Sequence, residues 1–136
     1  MALNDQINFL IALCLSILSG ILIGMERESR GKDAGISTHV FVILGAMLFT
    51  FISKLVDSDS SARIAAQIVS GIGFLGAGLI IKDGSNVKNL TTAANLWFAG
   101  AIGMAFGFEL YLIGIVSALV SIFIPKIPHV NKKHIE

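Results

Sequence analysis

The chain has 136 residues, of which 54% are hydrophobic and 14% charged, with a formal net charge of +1 and a mean hydropathy of +0.82. Soluble domains average about 25% charged residues, so this composition excludes an ordinary soluble domain. The small net charge gives no support for a nucleic-acid partner. Several apolar runs reach the roughly 17–25 residues that cross a bilayer, so the sequence predicts one polytopic membrane domain whose main partner is lipid.

In chain order, the apolar runs predict about five transmembrane helices in an all-α bundle. Their approximate bounds are 7–25, 36–53, 62–81, 90–106 and 110–124. The N-terminus has an acidic Asp5 and no Lys or Arg before the first run. We therefore expect the first run to be a retained helix and not a cleaved signal peptide. The segment Lys82–Asn86 reads as a turn, and Pro125 and Pro128 stop the last span.

Lysine and arginine residues predict the orientation of the bundle. The first loop, the third loop and the C-terminal tail carry eight of them, and the opposite side carries two. The eight are Arg27, Arg30, Lys32, Lys82, Lys88, Lys126, Lys132 and Lys133, and the two are Lys54 and Arg63. Because basic residues stay on the cytoplasmic side, this bias predicts an outside N-terminus and a cytoplasmic C-terminus.

A polar cluster directly follows the first apolar run. Carboxylates at this depth are costly unless they are paired or hydrated. One interpretation is an interfacial cluster in which Glu26 and Glu28 are neutralised by neighbouring cations. The other is a cation site, with oxygen ligands from Glu26 or Glu28 and from Thr38 or Asn95, which Mg²⁺ would tolerate. The full candidate cluster comprises Glu26, Arg27, Glu28, Thr38, His39, Thr91, Thr92 and Asn95.

The lone His39 is a poor metal motif, and a hydrogen bond at the helix start or a mild pH sensitivity is the simpler expectation for it. The sequence shows no nucleophile beside a base, no phosphate-cradling loop before a lysine and no paired His or Cys ligands. We therefore expect neither an enzyme nor a resident cofactor, with an interaction with Mg²⁺ left open.

Small residues at steps of three or four predict close helix packing. They are Gly20 and Gly24 in the first span, Ser70, Gly71, Gly73, Gly76 and Gly78 in the third, and Gly103 in the fourth. The third span has the most of them, and we expect it to be the packing spine of the bundle. Arg63 and Gln67 would form a polar pair at its outer end. Its small-residue groove also suits self-association into a homo-oligomer.

Four segments closely resemble the MgtC/SapB family of bacterial inner-membrane proteins. They are Gly24–Glu28, Ala34–His39, Arg63–Gly78 and Leu90–Trp97. The resemblance covers nearly the whole chain from about Ile17 to Tyr111. One departure is Ser37, which stands where the family commonly has an arginine, so a role for that arginine does not carry over.

The resemblance implies a link to growth in low magnesium and, in pathogens, to survival inside host cells. Some members resemble regulators of other membrane complexes, notably the F-type ATP synthase. We therefore expect a multi-pass inner-membrane regulator, with a divalent-cation transporter or channel as the alternative. Longer members carry a cytoplasmic domain after the membrane part, which this sequence is expected to lack because it ends soon after the fifth span.

Overall fold

The structure is a computed structural model that describes residues 2–57, 59 and 61–127. The predicted helix stop at Pro128 and the tail residues Lys132 and Lys133 lie outside the described residues. The order of elements is helix, helix, helix, a two-stranded hairpin, helix, helix. The bounds are α1 Leu3–Ser29, α2 Ile36–Val56, α3 Ser61–Leu79, β1 Ile81–Asp83, β2 Asn86–Lys88, α4 Leu90–Gly107 and α5 Tyr111–Phe123, which a single 3₁₀ turn, Ile124–Lys126, extends.

The five helices fall on the five predicted apolar spans and confirm the all-α bundle. Helices α1 to α4 are each at least 18 residues long and apolar enough to cross a membrane. Helix α5 has only 13 residues, and the apolar stretch that includes its 3₁₀ turn is still shorter than a full span. The chain is thus a multi-pass membrane protein in which four helices are long enough to span the bilayer.

Local chemistry explains where several helices begin and end. The carboxylate of Asp5 accepts a hydrogen bond of 2.8 Å from the backbone N–H of Ala2, which fixes the first turn of α1. Helix α1 ends where Gly31 adopts a positive φ of 64°, a conformation that glycine reaches without strain. At the far end of the chain, Pro125 allows only the short 3₁₀ turn after α5.

The segment between α3 and α4 is a β-hairpin and not only a turn, which differs from the sequence prediction. Strands β1 and β2 pair antiparallel, with Lys82 opposite Val87 and Asp83 opposite Asn86. Gly84 has a positive φ of 59° and makes the tight reversal possible. Ladder hydrogen bonds therefore satisfy the backbone here, where a loop would have left it to water.

Helix α4 is the packing centre, because it contacts all four other helices. Among the other helices, α3 makes substantial contact only with α2 and α4. The prediction that the third span is the packing spine is therefore wrong within this chain. Apolar side chains of α1, α2 and α4 fill the core, including Ile23, Ile43 and Phe106, each fully buried.

Glycines on α1 and α4 let the helices approach α2 closely, as predicted. A Cβ added at Gly24 would fall inside the backbone of Ile36, and one at Gly103 would strike the carbonyl of Ile43. Gly20 lies similarly close to Val40. The bundle is therefore tightest along α1–α2 and α2–α4.

The loops that were predicted to share one side do meet at one end of the bundle. Asn89, just before α4, donates a hydrogen bond to Asp33 in the α1–α2 loop at 2.6 Å. Arg30 of the same loop donates to the carbonyl of Pro125 after α5. We call this the basic end. At the opposite end, Lys54 pairs with Glu109 at 2.8 Å. Which end faces the cytoplasm stays a prediction.

Candidate functional site

The site at the basic end is built around a buried arginine. Arg27 lies in the last turn of α1 and is only 1% exposed. Its Nη2 donates a hydrogen bond of 2.8 Å to the hydroxyl of Thr92, which is itself buried in the first turn of α4. The Nε of Arg27 has no hydrogen-bond partner among the described residues. The bond ties the end of α1 to the start of α4 and leaves part of the guanidinium unsatisfied.

Glu26 is buried beside this arginine and is paired. Its Oε1 accepts a hydrogen bond from Nη1 of Arg30 at 3.2 Å, one helical turn further on. Its Oε2 is buried and has no hydrogen-bond partner in the part of the chain that the structure describes. This arrangement agrees with the interpretation of an ion-paired cluster, although one carboxylate oxygen is left over.

Glu28 has a structural task that the sequence did not reveal. It is exposed, and its Oε1 accepts a hydrogen bond of 2.9 Å from the backbone N–H of Ile36, the first residue of α2. The carboxylate packs so closely on Gly35 that a Cβ there would collide with it. Glu28 therefore caps α2 from the preceding helix, because it satisfies an N–H that has no partner within α2.

A second buried polar group joins α2, α4 and α5. His39 is fully buried, with Nε2 3.0 Å from Oδ1 of Asn95 and Nδ1 3.0 Å from the carbonyl of Gly35. The Gly35 contact confirms the expected hydrogen bond at the helix start. Both partners are oxygen atoms, and the tautomer decides which ring nitrogen donates. Asn95 also bonds Ser121 of α5 twice, each at 3.3 Å.

Sequence reasoning missed Ser121, which is 2% exposed and completes this group. A single serine in an apolar helix indicates no more than a small packing residue. The available signal was its spacing from two other small residues, Gly114 and Ala118, which are also buried on the inner face of α5. Thr38 and Thr91, both in the predicted cluster, are exposed and belong to neither hydrogen-bonded group.

The predicted polar pair and most of the predicted packing residues of α3 are exposed. Arg63, Gln67 and Ser70 are exposed, and the Ser70 hydroxyl bonds the carbonyl of Ala66 in its own helix. Among the described residues, nothing lies within 4 Å of a Cβ built at Gly71, Gly73 or Gly78, so these glycines are not packing residues within the chain. Of the predicted set on α3, Gly76 meets another helix, with the Ala93 carbonyl 3.4 Å away.

The carboxylates of the predicted cluster bond to separate partners in the described part of the chain. Across residues 2–57, 59 and 61–127, no three His, Cys, Asp or Glu side chains group closely enough to hold one. Glu26 bonds Arg30, Glu28 bonds the start of α2, and Asn95 bonds His39. The oxygen ligands proposed from the sequence are thus directed at three different partners.

Two cavities adjoin these elements. One, of about 450 Å³, is an apolar groove between α2 and α3, which we call the α2–α3 groove. It is lined by Phe41, Val42, Gly45, Ala46, Phe49, Ile64, Gln67, Ile68, Gly71, Ile72 and Leu75. The other, of about 410 Å³, lies at the basic end, and we call it the basic pocket. It is lined by Arg27, Arg30, Lys32, Val87, Asn89, Leu90, Thr91, Thr92, Ile124, Pro125 and Ile127.

Comparison with known families identifies the family of this chain. The model of the MgtC family matches residues 13–132, most of the chain. The chain belongs to the MgtC family. The matched region contains both buried polar groups of this MgtC family member, Arg27 with Thr92 and His39 with Asn95 and Ser121.

Similar curated proteins carry two names. The protein named "Putative magnesium transporter YhiD" from Escherichia coli K12 is 40% identical over 130 residues, 89% of this chain and 60% of that protein. "Protein MgtC" of Brucella abortus is 54% identical over 99 residues, 71% of this chain and 42% of that protein. "Protein MgtC" of Salmonella typhimurium LT2 is 48% identical over 99 residues, 73% of this chain and 43% of that protein.

The chain therefore spans between about two fifths and three fifths of the length of these relatives. No solved structure matches the chain significantly.

Proposed function

We propose that this MgtC family member is an inner-membrane regulator that binds another integral membrane protein through the outer face of α3, and that it catalyses no reaction itself. The observation that carries this proposal is the contrast between two sets of glycines. Neighbouring helices of the same chain fill the space beside the glycines of α1 and α4, whereas no described atom lies within 4 Å of a Cβ built at Gly71, Gly73 or Gly78 on α3. Gly71 and Gly78 are seven residues apart and lie on one face of α3, and Gly73 lies on the opposite side of the helix.

Such a face suits helix association inside a bilayer. Association there depends on van der Waals packing, because lipid tails are as apolar as the side chains, and small residues let two backbones approach closely. A helix that served only to face lipid would gain nothing from exposed glycines, each of which weakens a helix by roughly 0.5–1 kcal/mol relative to alanine. Contact with a partner helix explains why α3 carries them.

The α2–α3 groove beside this face supplies shape and one polar group. Its walls are apolar except for the side-chain amide of Gln67. An amide next to lipid favours a hydrogen bond with a partner helix, an interaction of roughly 0.6–2 kcal/mol in membranes. A partner helix with a donor or acceptor at that depth would be selected over one without it.

The class of partner comes from the family resemblance. It points to a larger membrane complex, with the F-type ATP synthase as the leading case, and to growth under magnesium limitation. The membrane part of the chain aligns with the relatives named Protein MgtC at 54% and 48% identity. We extend the regulator role to this chain on that basis.

Site-specific photo-crosslinking tests the proposal at native expression levels. A photo-reactive phenylalanine analogue replaces Phe74 on α3, which is 80% exposed, or Leu112 on α5, which is 75% exposed and serves as the matched control. We expect a crosslink to a different integral protein from position 74 and none from position 112. Crosslinks from position 74 to lipid or to further copies of the chain alone would overturn the proposal.

A second candidate, transport of magnesium, is favoured by one structural feature. Glu26 is a buried carboxylate whose Oε2 has no partner among the described residues, and one relative is named "Putative magnesium transporter YhiD". We rank this candidate second for two reasons. The other oxygen of Glu26 is paired with Arg30, and apolar side chains fill the core between α1, α2 and α4. Uptake of Mg²⁺ into liposomes distinguishes the candidates.

A further inference from the structure

Positive charge is concentrated in the lining of the basic pocket. Arg27, Arg30 and Lys32 line it, and no acidic side chain is among the described residues that do so. Two carboxylates lie just behind the lining: Glu26 pairs with Arg30, and Asp33 accepts a hydrogen bond from Asn89. Neither Arg27 nor Lys32 has a salt bridge within the described part of the chain, although the Glu26 carboxylate acts on the charge of Arg27.

Arg27 is a buried guanidinium with an unbonded donor. A guanidinium that is 1% exposed normally has its N–H groups bonded, since an unsatisfied buried donor costs free energy. Here Nη2 is bonded to Thr92, but the buried Nε has no partner in the described chain, and the side chain lines the pocket. The pocket wall therefore includes a guanidinium with one unbonded donor, whose positive charge would attract an anion in the pocket.

The start of α4 adds backbone donors to the same pocket. The first hydrogen bond inside the helix is donated by Ala93, so the N–H groups of Leu90, Thr91 and Thr92 precede it. The side chain of Asn89 does not cap them, because its amide donates to Asp33 and to the carbonyl of Leu79. Free N–H groups and the helix dipole make such a terminus favourable for anions.

From these three observations we propose that the basic pocket binds a phosphate group. A phosphate has several strong acceptor oxygens, which suits the planar fork of Arg27, the ammonium of Lys32 and the backbone donors of α4 together. A carboxylate offers fewer acceptors for the same set of donors. The volume of about 410 Å³ lies within the roughly 300–1,000 Å³ of small-molecule sites.

Two sources could supply this phosphate, an anionic phospholipid headgroup or free phosphate in the cytoplasm. One wall of the pocket is apolar and open, with Leu90 60%, Ile124 56% and Ile127 64% exposed. This wall is suited to the glycerol and acyl carbons of a lipid that enters from the bilayer. The phosphate chemistry is common to both sources, and the experiment separates them. The inference does not depend on the proposed partner of α3.

The test measures ligand binding to the purified full chain. The probes are phosphatidylglycerol, counted by native mass spectrometry and compared with zwitterionic phosphatidylcholine, and inorganic phosphate, followed by the shift in thermal unfolding temperature. We expect one of these probes to bind. Binding of phosphatidylglycerol without a shift by phosphate identifies a lipid site, and a shift by inorganic phosphate identifies a soluble ligand.

Matched variants locate the binding. Lys32→Gln removes a charge that lines the pocket, whereas Lys82→Gln removes one from the hairpin at the same end of the bundle, outside the pocket. We expect Lys32→Gln to weaken binding by about tenfold, as for the loss of one charge-assisted contact, and Lys82→Gln to change it less than twofold.

Leu90→Glu serves as an independent variant. A carboxylate in the first turn stabilises a helix, so the variant should fold, but it places negative charge in the pocket and should abolish binding. The proposal is overturned if neither probe binds the wild-type chain. It is equally overturned if Lys32→Gln and Lys82→Gln weaken binding to the same extent, or if Leu90→Glu binds as the wild type does.

Discussion

At the scale of single residues, the protein holds a buried guanidinium at the end of a membrane helix. Arg27 is retained there because Thr92 accepts one of its hydrogen bonds and Glu26 is its neighbour in sequence. A charge at this depth is costly without such partners. The stability of the bundle should therefore depend on groups that contribute little apolar area.

The Thr92 hydroxyl can be tested with an isosteric change. Thr92→Val keeps the shape of the side chain and removes the acceptor, which leaves a second donor of Arg27 unsatisfied. We expect the free energy of unfolding in detergent to fall by about 1–3 kcal/mol. The control is Thr91→Val, one residue earlier and exposed, where the change should be under about 0.5 kcal/mol. Equal effects of the two variants would contradict the role given to Thr92.

The Asn95 group allows a similar comparison of two amides. Asn95→Leu removes the partner of both His39 and Ser121, which stay buried, and we expect a loss of about 2–4 kcal/mol from two unsatisfied groups. Gln67→Leu changes an exposed amide on α3 and should leave stability unchanged or slightly higher. Thermal unfolding monitored by circular dichroism measures both. If Gln67→Leu lowered the unfolding temperature and Asn95→Leu did not, the assignment of Asn95 as the buried, stabilising amide would be wrong.

Much of the candidate site was predictable at this scale, but its partners were not. Glu26, Arg27, Thr92, His39 and Asn95 stand out because polar groups near apolar runs need partners. Which partner each one meets depends on how far α1, α2 and α4 rotate about their axes, and apolar patterning fixes that rotation only loosely. For the same reason the capping role of Glu28 and the buried position of Ser121 could not be read from the sequence.

At the scale of elements, small residues have two distinct uses. On α1 and α4 they bring helices of one chain together, and on α3 they leave a face open. A pattern of small residues shows that some helix can approach closely. It does not show which helix, or whether that helix belongs to the same chain. That is why the third span was predicted as the packing spine, although α4 occupies that position.

Alanine at a glycine separates these uses. Gly103→Ala places a methyl group against the carbonyl of Ile43 between α4 and α2, and we expect it to destabilise the bundle by about 1–3 kcal/mol. Gly71→Ala meets no described atom and should raise helix stability by about 0.5–1 kcal/mol. Chemical or thermal unfolding of the purified variants gives both values. If Gly71→Ala destabilised the bundle as much as Gly103→Ala does, Gly71 would have to contact another helix of the same chain.

At the scale of the whole molecule, the loops divide between two ends as the sequence predicted, with Asn89 and Asp33 in contact at one end and Lys54 and Glu109 at the other. The first four apolar spans match helices that are long enough to cross the bilayer, whose thickness sets that length, and the fifth matches the shorter α5. The hairpin of β1 and β2 was not predicted. Its strands are three residues each, too short for an alternating pattern to distinguish them from a turn.

The orientation is predicted from the positive charges of the loops and can be measured with cysteine labelling. In a Cys14→Ser background, Asp59→Cys and Lys82→Cys place single thiols at opposite ends of the bundle. We expect a membrane-impermeant maleimide added to intact cells to label position 59 and not position 82. Labelling of position 82 alone would mean that the basic end faces outward.

We propose that the chain acts through its outer surface and that its packed interior conducts no ion. Purified protein in liposomes, with folding checked by circular dichroism, measures this through Mg²⁺ uptake down an imposed concentration gradient. We predict uptake equal to that of protein-free liposomes. Uptake above that level, which Glu26→Gln abolishes and the neighbouring exposed Glu28→Gln preserves, would contradict the account and make the buried carboxylate part of a transport path.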